Sequence, residues 1–128
     1  GILGSQVLPV IRIMPVDGFY DINNKYPWMT GSGKSDYECP AQLPEQSGEI
    51  TAAVQAAAMA AFNAIGGRVY GRVDVLLRSG DNKPFVLEVN TIPGMTPTSL
   101  LPKACAEVGL SYESLCEKII ELSLAARP

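Results

Sequence analysis

No histidine occurs anywhere in the 128 residues. That excludes Ser-His-Asp and Cys-His nucleophilic machinery within the chain, and it removes the commonest zinc ligand. Cysteine is scarce: Cys39, Cys105 and Cys116 are odd in number and lack C-x-x-C spacing. Such a set points to free thiols in a reducing compartment. No apolar run approaches 18 residues, so no membrane span is expected. There is no basic field either. Lys and Arg number 10 against 13 Asp and Glu, for a net charge of −3. Nucleic acid is therefore not an expected partner, and no block of like charge marks a tail. The opening Gly1-Ile2-Leu3-Gly4-Ser5 has neither a basic n-region nor an apolar h-region, so no signal peptide is read. It also has no initiating Met and starts as if inside a fold, so the chain reads as a piece of a longer protein.

What is present is one domain's worth of chain, 47% hydrophobic and long enough to bury a core. The first near-motif is "MTGSGKSDY", residues 29–37, which resembles the tail of a P-loop. A P-loop reads G-x-x-x-x-G-K-[ST] between a strand and a helix. With Gly33-Lys34-Ser35 as its end, the first glycine would fall at Trp28. The exit runs into Pro40 after five residues without helical period. The stretch is a glycine-softened loop and not a phosphate cradle.

Residues 6–14 read as a strand bounded by Pro15, and residues 19–26 as a second, weaker one. Residues 27–47 are too irregular in sequence for an element. From Glu49 to Ile65 the apolar residues fall on one helical face, and Gly66-Gly67 end it. Strands at about 69–78 and 84–90 are joined by Ser79-Gly80-Asp81-Asn82-Lys83, a hairpin connection. A helix near 99–108 ends at Gly109. A last helix, capped by Ser111, buries Tyr112, Leu115, Cys116, Ile119 and Leu122. No internal repeat is evident. The predicted class is α+β, a mainly antiparallel sheet backed by helices.

Chemistry concentrates in the hairpin, "GRVDVLL" and "FVLEVN". Alternation puts Arg72, Asp74 and Leu76 on one strand face. Closure around Asp81 sets Asp74 opposite Glu88 and Arg72 opposite Asn90. Opposed carboxylates destabilise a ladder unless something offsets their charge. Asp, Glu and an amide oxygen are hard ligands that suit Mg²⁺ shared with phosphate. A solvated polar face with Arg72 neutralising the acids explains the same residues, and spacing does not choose between the two. Val73, Val75, Leu87 and Val89 are expected as core on the other face. In the following "TIPGMTPTSLLPKA", Gly94 could bring a backbone N–H close to a ligand. Thr98 or Ser99 there reads most simply as a helix cap.

The string "YGRVDVLLRSGDNKPFVLEVNTIPGMTPTSLLPKACAEVGLSYESL" resembles the C-terminal part of the D-alanine–D-alanine ligases, of the ATP-grasp superfamily. Upstream, "LPVIRIMP", "FYDINNKY" and "YECPAQLP" occur in that family's order, so the similarity covers essentially the whole chain. The run E-V-N-T-x-P-G-M-T-x-x-S-L is long and specific. The resemblance implies a C-terminal ATP-grasp subdomain over residues 1–128, preceded in the family by a D-alanine-binding domain and a central ATP-binding subdomain. ATP-grasp enzymes hold nucleotide between two sheets and have no P-loop.

By that resemblance Asp74, Glu88 and Asn90 match magnesium ligands, with Glu88 bridging two Mg²⁺ ions (Mn²⁺ being the alternative metal). Lys25 matches a lysine on the ATP phosphates. Tyr26 matches the tyrosine of a covering loop that helps choose the second substrate. Arg72 and the Gly94 N–H match the groups that stabilise the oxyanion, and Ser99 and Leu100 those that hold the second D-alanine's carboxylate. The implied activity is ATP-dependent joining of two D-alanines for peptidoglycan precursors, in the cytoplasm, by a homodimer. The alternatives are a D-alanine–D-lactate ligase, against which Tyr26 argues, and a non-catalytic ATP-grasp remnant serving as a binding module. The segment from Lys25 to Pro40 is a few residues longer than the family pattern. As part of a closing loop, residues 27–37 are expected to be poorly ordered where no ATP subdomain faces them.

Overall fold

The computed structural model describes residues 1–15, 35–44 and 48–127. The expected strand at 19–26 and most of the loop at 27–37 lie outside them. Strands β1 (Ile2–Leu3) and β2 (Gln6–Val7) form a tight hairpin in which Gly4 takes φ +59, a conformation that costs glycine little. β1 also pairs with β5 (Tyr70–Leu77), which pairs with β6 (Pro84–Asn90). All contacts are antiparallel, in the order β2-β1-β5-β6. A separate ribbon joins β3 (Arg12–Pro15) to β4 (Ser35–Glu38). Two expectations are corrected here. The strand read at 6–14 is two short strands separated at Pro9, which has no N–H to donate to a ladder. Residues 35–38, read as irregular, form β4, so residues 35–37 are not the poorly ordered stretch expected of them; the rest of that expectation falls outside the described residues.

Helix α1 (Glu49–Ala64) ends in paired closing bonds: Gly67 N–H donates to the Phe62 carbonyl and Gly66 N–H to that of Asn63. Gly66 holds φ +74, the left-handed residue that such a terminus needs. The same pattern ends α2 (Leu100–Ala106), where Leu110 N–H donates to Cys105 and Gly109 N–H to Ala106. Helix α3 (Tyr112–Ala125) starts at Ser111, whose hydroxyl accepts from Ser114 N–H.

Helices cover both faces of the sheet. A Cβ built on Gly71 would press on Phe62 of α1, so Gly71 and its register partner Ile2 face α1. Val54, Ala58 and Phe62 form the buried stripe of that helix. Leu3 and Tyr70 point the other way, into a core of Leu3, Leu8, Leu101, Ala104, Cys105 and Leu115 shared with α2 and α3. Arg72 and Asp74 follow Tyr70 by twos and so share the α2–α3 side.

Candidate active site

The β5–β6 register fixes the acidic pair: Arg72 lies opposite Asn90, Val73 opposite Val89 and Asp74 opposite Glu88. A bulge follows, because Val75 pairs with Val86 and leaves Leu87 as the extra residue. Leu87 is 60% exposed and is not core, contrary to strict alternation. The inserted residue takes it out of the two-residue period while Glu88 stays on the Asp74 face.

Arg72 grips Asp74 with a fork: Nε donates to Oδ1 at 2.7 Å and Nη2 to Oδ2 at 3.1 Å. Its Nη2 also lies 3.9 Å from Glu88 Oε1, which accepts from Asn90 Nδ2 at 3.1 Å. The Arg72 and Asp74 side chains are 19% and 14% exposed, that of Glu88 48%. A pair so shielded is held firmly, since two parallel charge-assisted bonds fix the guanidinium plane. Glu88 remains open toward solvent.

A cleft of about 660 Å³ lies beside β5, lined among others by Arg12, Arg72, Asp74, Leu76, Glu88 and Leu100. It exists because β1 is short: among the described residues β1 pairs with β5 only at Tyr70 and Gly71. The cleft gathers Arg72, Asp74, Glu88 and Leu100 of the expected site. Asn90, Gly94 and Ser99 do not line it, and Lys25 and Tyr26 lie outside the described residues.

The stretch after β6 builds a second cluster. Ser99 occupies the N-cap position of α2 with φ −70 and ψ 159, but its side chain makes no capping bond. It accepts instead from Thr96 N–H at 3.1 Å and shares a 2.8 Å hydroxyl contact with Thr96 Oγ1. The plain cap reading of Ser99 is therefore not what the structure shows. Gly94 abuts the same hydroxyl, for a Cβ there would sit 3.0 Å from Ser99 Oγ. Tyr112 anchors the loop from below by donating to the Met95 carbonyl at 2.6 Å. Neither Thr96 nor Tyr112 stood out as a polar participant in the sequence; periodicity placed Tyr112 simply in the core.

Among the described residues, no group of three or more His, Cys, Asp or Glu side chains could cage a metal. Two carboxylates and an amide on one face of adjacent strands fit a different case. They are oxygen donors too few to surround an ion, as suits Mg²⁺ that completes its shell with water and phosphate oxygens. Arg72 engages Asp74 without exhausting the lone pairs of its two oxygens.

Comparison with known proteins identifies the relatives of the chain. A family model described as "D-ala D-ala ligase C-terminus" matches residues 1–121. The D-alanine–D-alanine ligase of Methylacidiphilum infernorum is 50% identical over 123 residues, which are 96% of this chain and 38% of that protein. The crystal structure of the Bacillus anthracis D-alanine–D-alanine ligase complexed with ATP superposes with TM-score 0.74 and 34% identity, covering 97% of this chain and 36% of that one. The VanG D-Ala:D-Ser ligase of Enterococcus faecalis gives TM-score 0.73 at 30% identity, over 94% and 34% of the two chains. The chain thus spans well under half the length of the relatives it matches. With the family model covering nearly all of it and the fold matching solved ligases throughout, the chain belongs to the D-alanine–D-alanine ligase C-terminal family.

Proposed function

We propose that residues 1–128 act as the C-terminal ATP-grasp subdomain of a D-alanine–D-alanine ligase, working with an amino-acid-binding domain and a central ATP-binding subdomain supplied by a longer polypeptide. The observation that carries this reading is the acidic pair, Asp74 directly across from Glu88, with Arg72 forked onto one and Asn90 donating to the other. A remnant kept only for binding would have no use for two opposed carboxylates that strain their own ladder.

In this reading the carboxylate of the first D-alanine attacks the γ-phosphorus of ATP, forming an acyl phosphate and releasing ADP. The amine of the second D-alanine then attacks the acyl carbon; phosphate leaves and the amine gives up a proton. Asp74, Glu88 and Asn90 would hold Mg²⁺, which when bound offsets charge on the phosphoryl oxygens. Lys25 contacts the phosphates and Tyr26 covers the acceptor, both carried by resemblance alone. Arg72 and the Gly94 N–H stabilise the oxyanion. Asp74 assists by fixing the Arg72 fork and so the direction of its Nη1 edge. Ser99 and Leu100 receive the acceptor's carboxylate. No covalent enzyme intermediate forms, so a chain without histidine loses nothing. The product serves peptidoglycan precursor synthesis in the cytoplasm, and the whole enzyme is a homodimer.

The test is ADP release with D-alanine, ATP and Mg²⁺. A complete ligase polypeptide carrying this chain is expected to turn over and the isolated 128 residues are not. Silence of the complete polypeptide would overturn the ligase reading; turnover by the isolated chain would overturn the need for the other domains. Competition of D-alanine against D-lactate and D-serine in the same assay assigns the acceptor, with D-alanine expected to win.

A further inference from the structure

We propose that Tyr112 is a positioning residue for the Ser99 hydroxyl, acting through a single peptide group. The proposal rests on the ligase reading for the acceptor's identity but not for its geometry. The Met95–Thr96 peptide is held at both ends. Its carbonyl accepts from the Tyr112 hydroxyl at 2.6 Å, and its N–H donates to Ser99 Oγ at 3.1 Å. Thr96 Oγ1 meets the same oxygen at 2.8 Å, and Ser99 N–H returns a bond of 2.9 Å to the Thr96 carbonyl. Ser99 is thus locked within a four-residue turn whose far side is pinned by α3.

Proton accounting gives this lock a direction. Ser99 Oγ accepts the Thr96 N–H, and when the Thr96 hydroxyl also donates to it, the Ser99 proton is directed away from the turn. A hydroxyl so arranged donates outward, as a carboxylate ligand requires. Donation by Tyr112 to the carbonyl polarises the peptide and strengthens the Thr96 N–H bond at its other end. The absence of a side-chain capping bond at Ser99 is part of the same picture, because that hydroxyl is not spent on α2. Gly94 closes the remaining side, 3.0 Å from Ser99 Oγ at the site of its missing Cβ. Tyr112 can act as an anchor because it begins α3, whose start is capped by Ser111 and whose Leu115 is fully buried. Desolvation, reinforced by Cys116 and Glu113, also pushes the phenol up from its ordinary value of 10.0.

Tyr112→Phe keeps the ring and deletes only the donor. In the 128-residue chain, the Thr96 amide proton is expected to move upfield and to exchange faster with solvent, while amides of the β5–β6 ladder keep their protection. In a ligase polypeptide carrying the chain, the same substitution is expected to raise KM for the acceptor D-alanine about fivefold, the scale of one hydrogen bond. KM for ATP should stay within about twofold, since Tyr112 bonds to the acceptor loop and not to the cleft of the acidic pair. Ser99→Ala should have the larger effect, and adding Tyr112→Phe to it should add almost nothing, because the clamp then has nothing to aim. An unmoved Thr96 amide would overturn the proposal, as would additive losses in the double variant or a parallel rise of both KM values. If the polypeptide ligates nothing, the amide measurement still decides the clamp, and the failure belongs to the ligase reading.

Discussion

At the scale of single residues, the opposed carboxylates set charge repulsion in the ladder against the metal-holding role proposed for them. Glu88 faces Asp74 across the ladder and is the more exposed of the two. Glu88→Gln removes a like-charge contact with Asp74 but also the charge that lies 3.9 Å from Arg72 Nη2, so thermal unfolding of the 128-residue chain is expected to shift by no more than about 0.5 kcal/mol. The same change should weaken Mg²⁺-dependent stabilisation, and in the complete ligase it should abolish turnover; a large loss of stability without metal would mean that the Arg72 pair outweighs the repulsion. Arg72 works in the opposite sense. Arg72→Met strips the fork from a mostly shielded Asp74, and the expected loss is about 1–3 kcal/mol, measured by denaturant unfolding. Arg72→Lys keeps the charge without the fork and is expected to lower kcat/KM of the complete ligase by about 10². The facing of these residues was legible because a turn centred on Asp81 fixes which positions oppose each other. Leu87 was not, because a bulge leaves no trace in a run of alternating apolar residues.

At the scale of elements, two serines at helix starts bond in different ways. Ser111 accepts from the first turn of α3, so Ser111→Ala is expected to cost about 1 kcal/mol of global stability. Ser99 occupies the equivalent position of α2 without a capping bond, and its hydroxyl instead accepts from Thr96 N–H, so Ser99→Ala should expose the Thr96 amide to exchange while the first turn of α2 keeps its protection. Faster exchange of the first α2 amides in Ser99→Ala, with the Thr96 amide unmoved, would restore the cap reading. Helix ends were readable because glycine at positive φ is a local requirement, met at Gly66 and Gly109. Gly67 has a different reason to be glycine: a Cβ there would run into the Phe62 ring. Gly67→Ala should therefore overpack the α1 seat. The short strands were not readable for a physical reason. β4 reads S-D-Y-E and owes its form to β3, whose paired residues lie twenty or more positions away in sequence, and strand preference of that kind follows from the neighbour rather than the segment. The break of the first strand at Pro9 shows the same dependence, with Leu8 N–H turning to Gly1 and Ala41 N–H reaching Val10.

At the scale of the whole molecule, two of the three thiols report on how the layers hold together. Cys105 is fully buried where α2 meets the sheet and α3, and burial pushes its thiol up from the ordinary 9.0. Cys39 packs against the edge of that core and is raised in the same direction by burial and then by Glu107. Raised values disfavour the thiolate in the folded state. What these thiols contribute to stability is therefore intact below the unfolded pKa and is lost as pH rises through the folded one. Near pH 8 Cys39 should react slowly with a disulfide reagent. Cys105 should react only when the core opens, so its labelling rate becomes a measure of global stability. Leu115 belongs to the same cluster and is fully buried. Leu115→Val removes about one methylene, worth about 0.8 kcal/mol. It is expected to speed Cys105 labelling about fourfold, in step with the stability lost in a parallel urea melt. Rapid labelling of Cys105 in the folded chain, or a Leu115→Val effect on Cys39 alone, would mean that α2 and α3 open apart from the sheet and that the layers do not share one cooperative core.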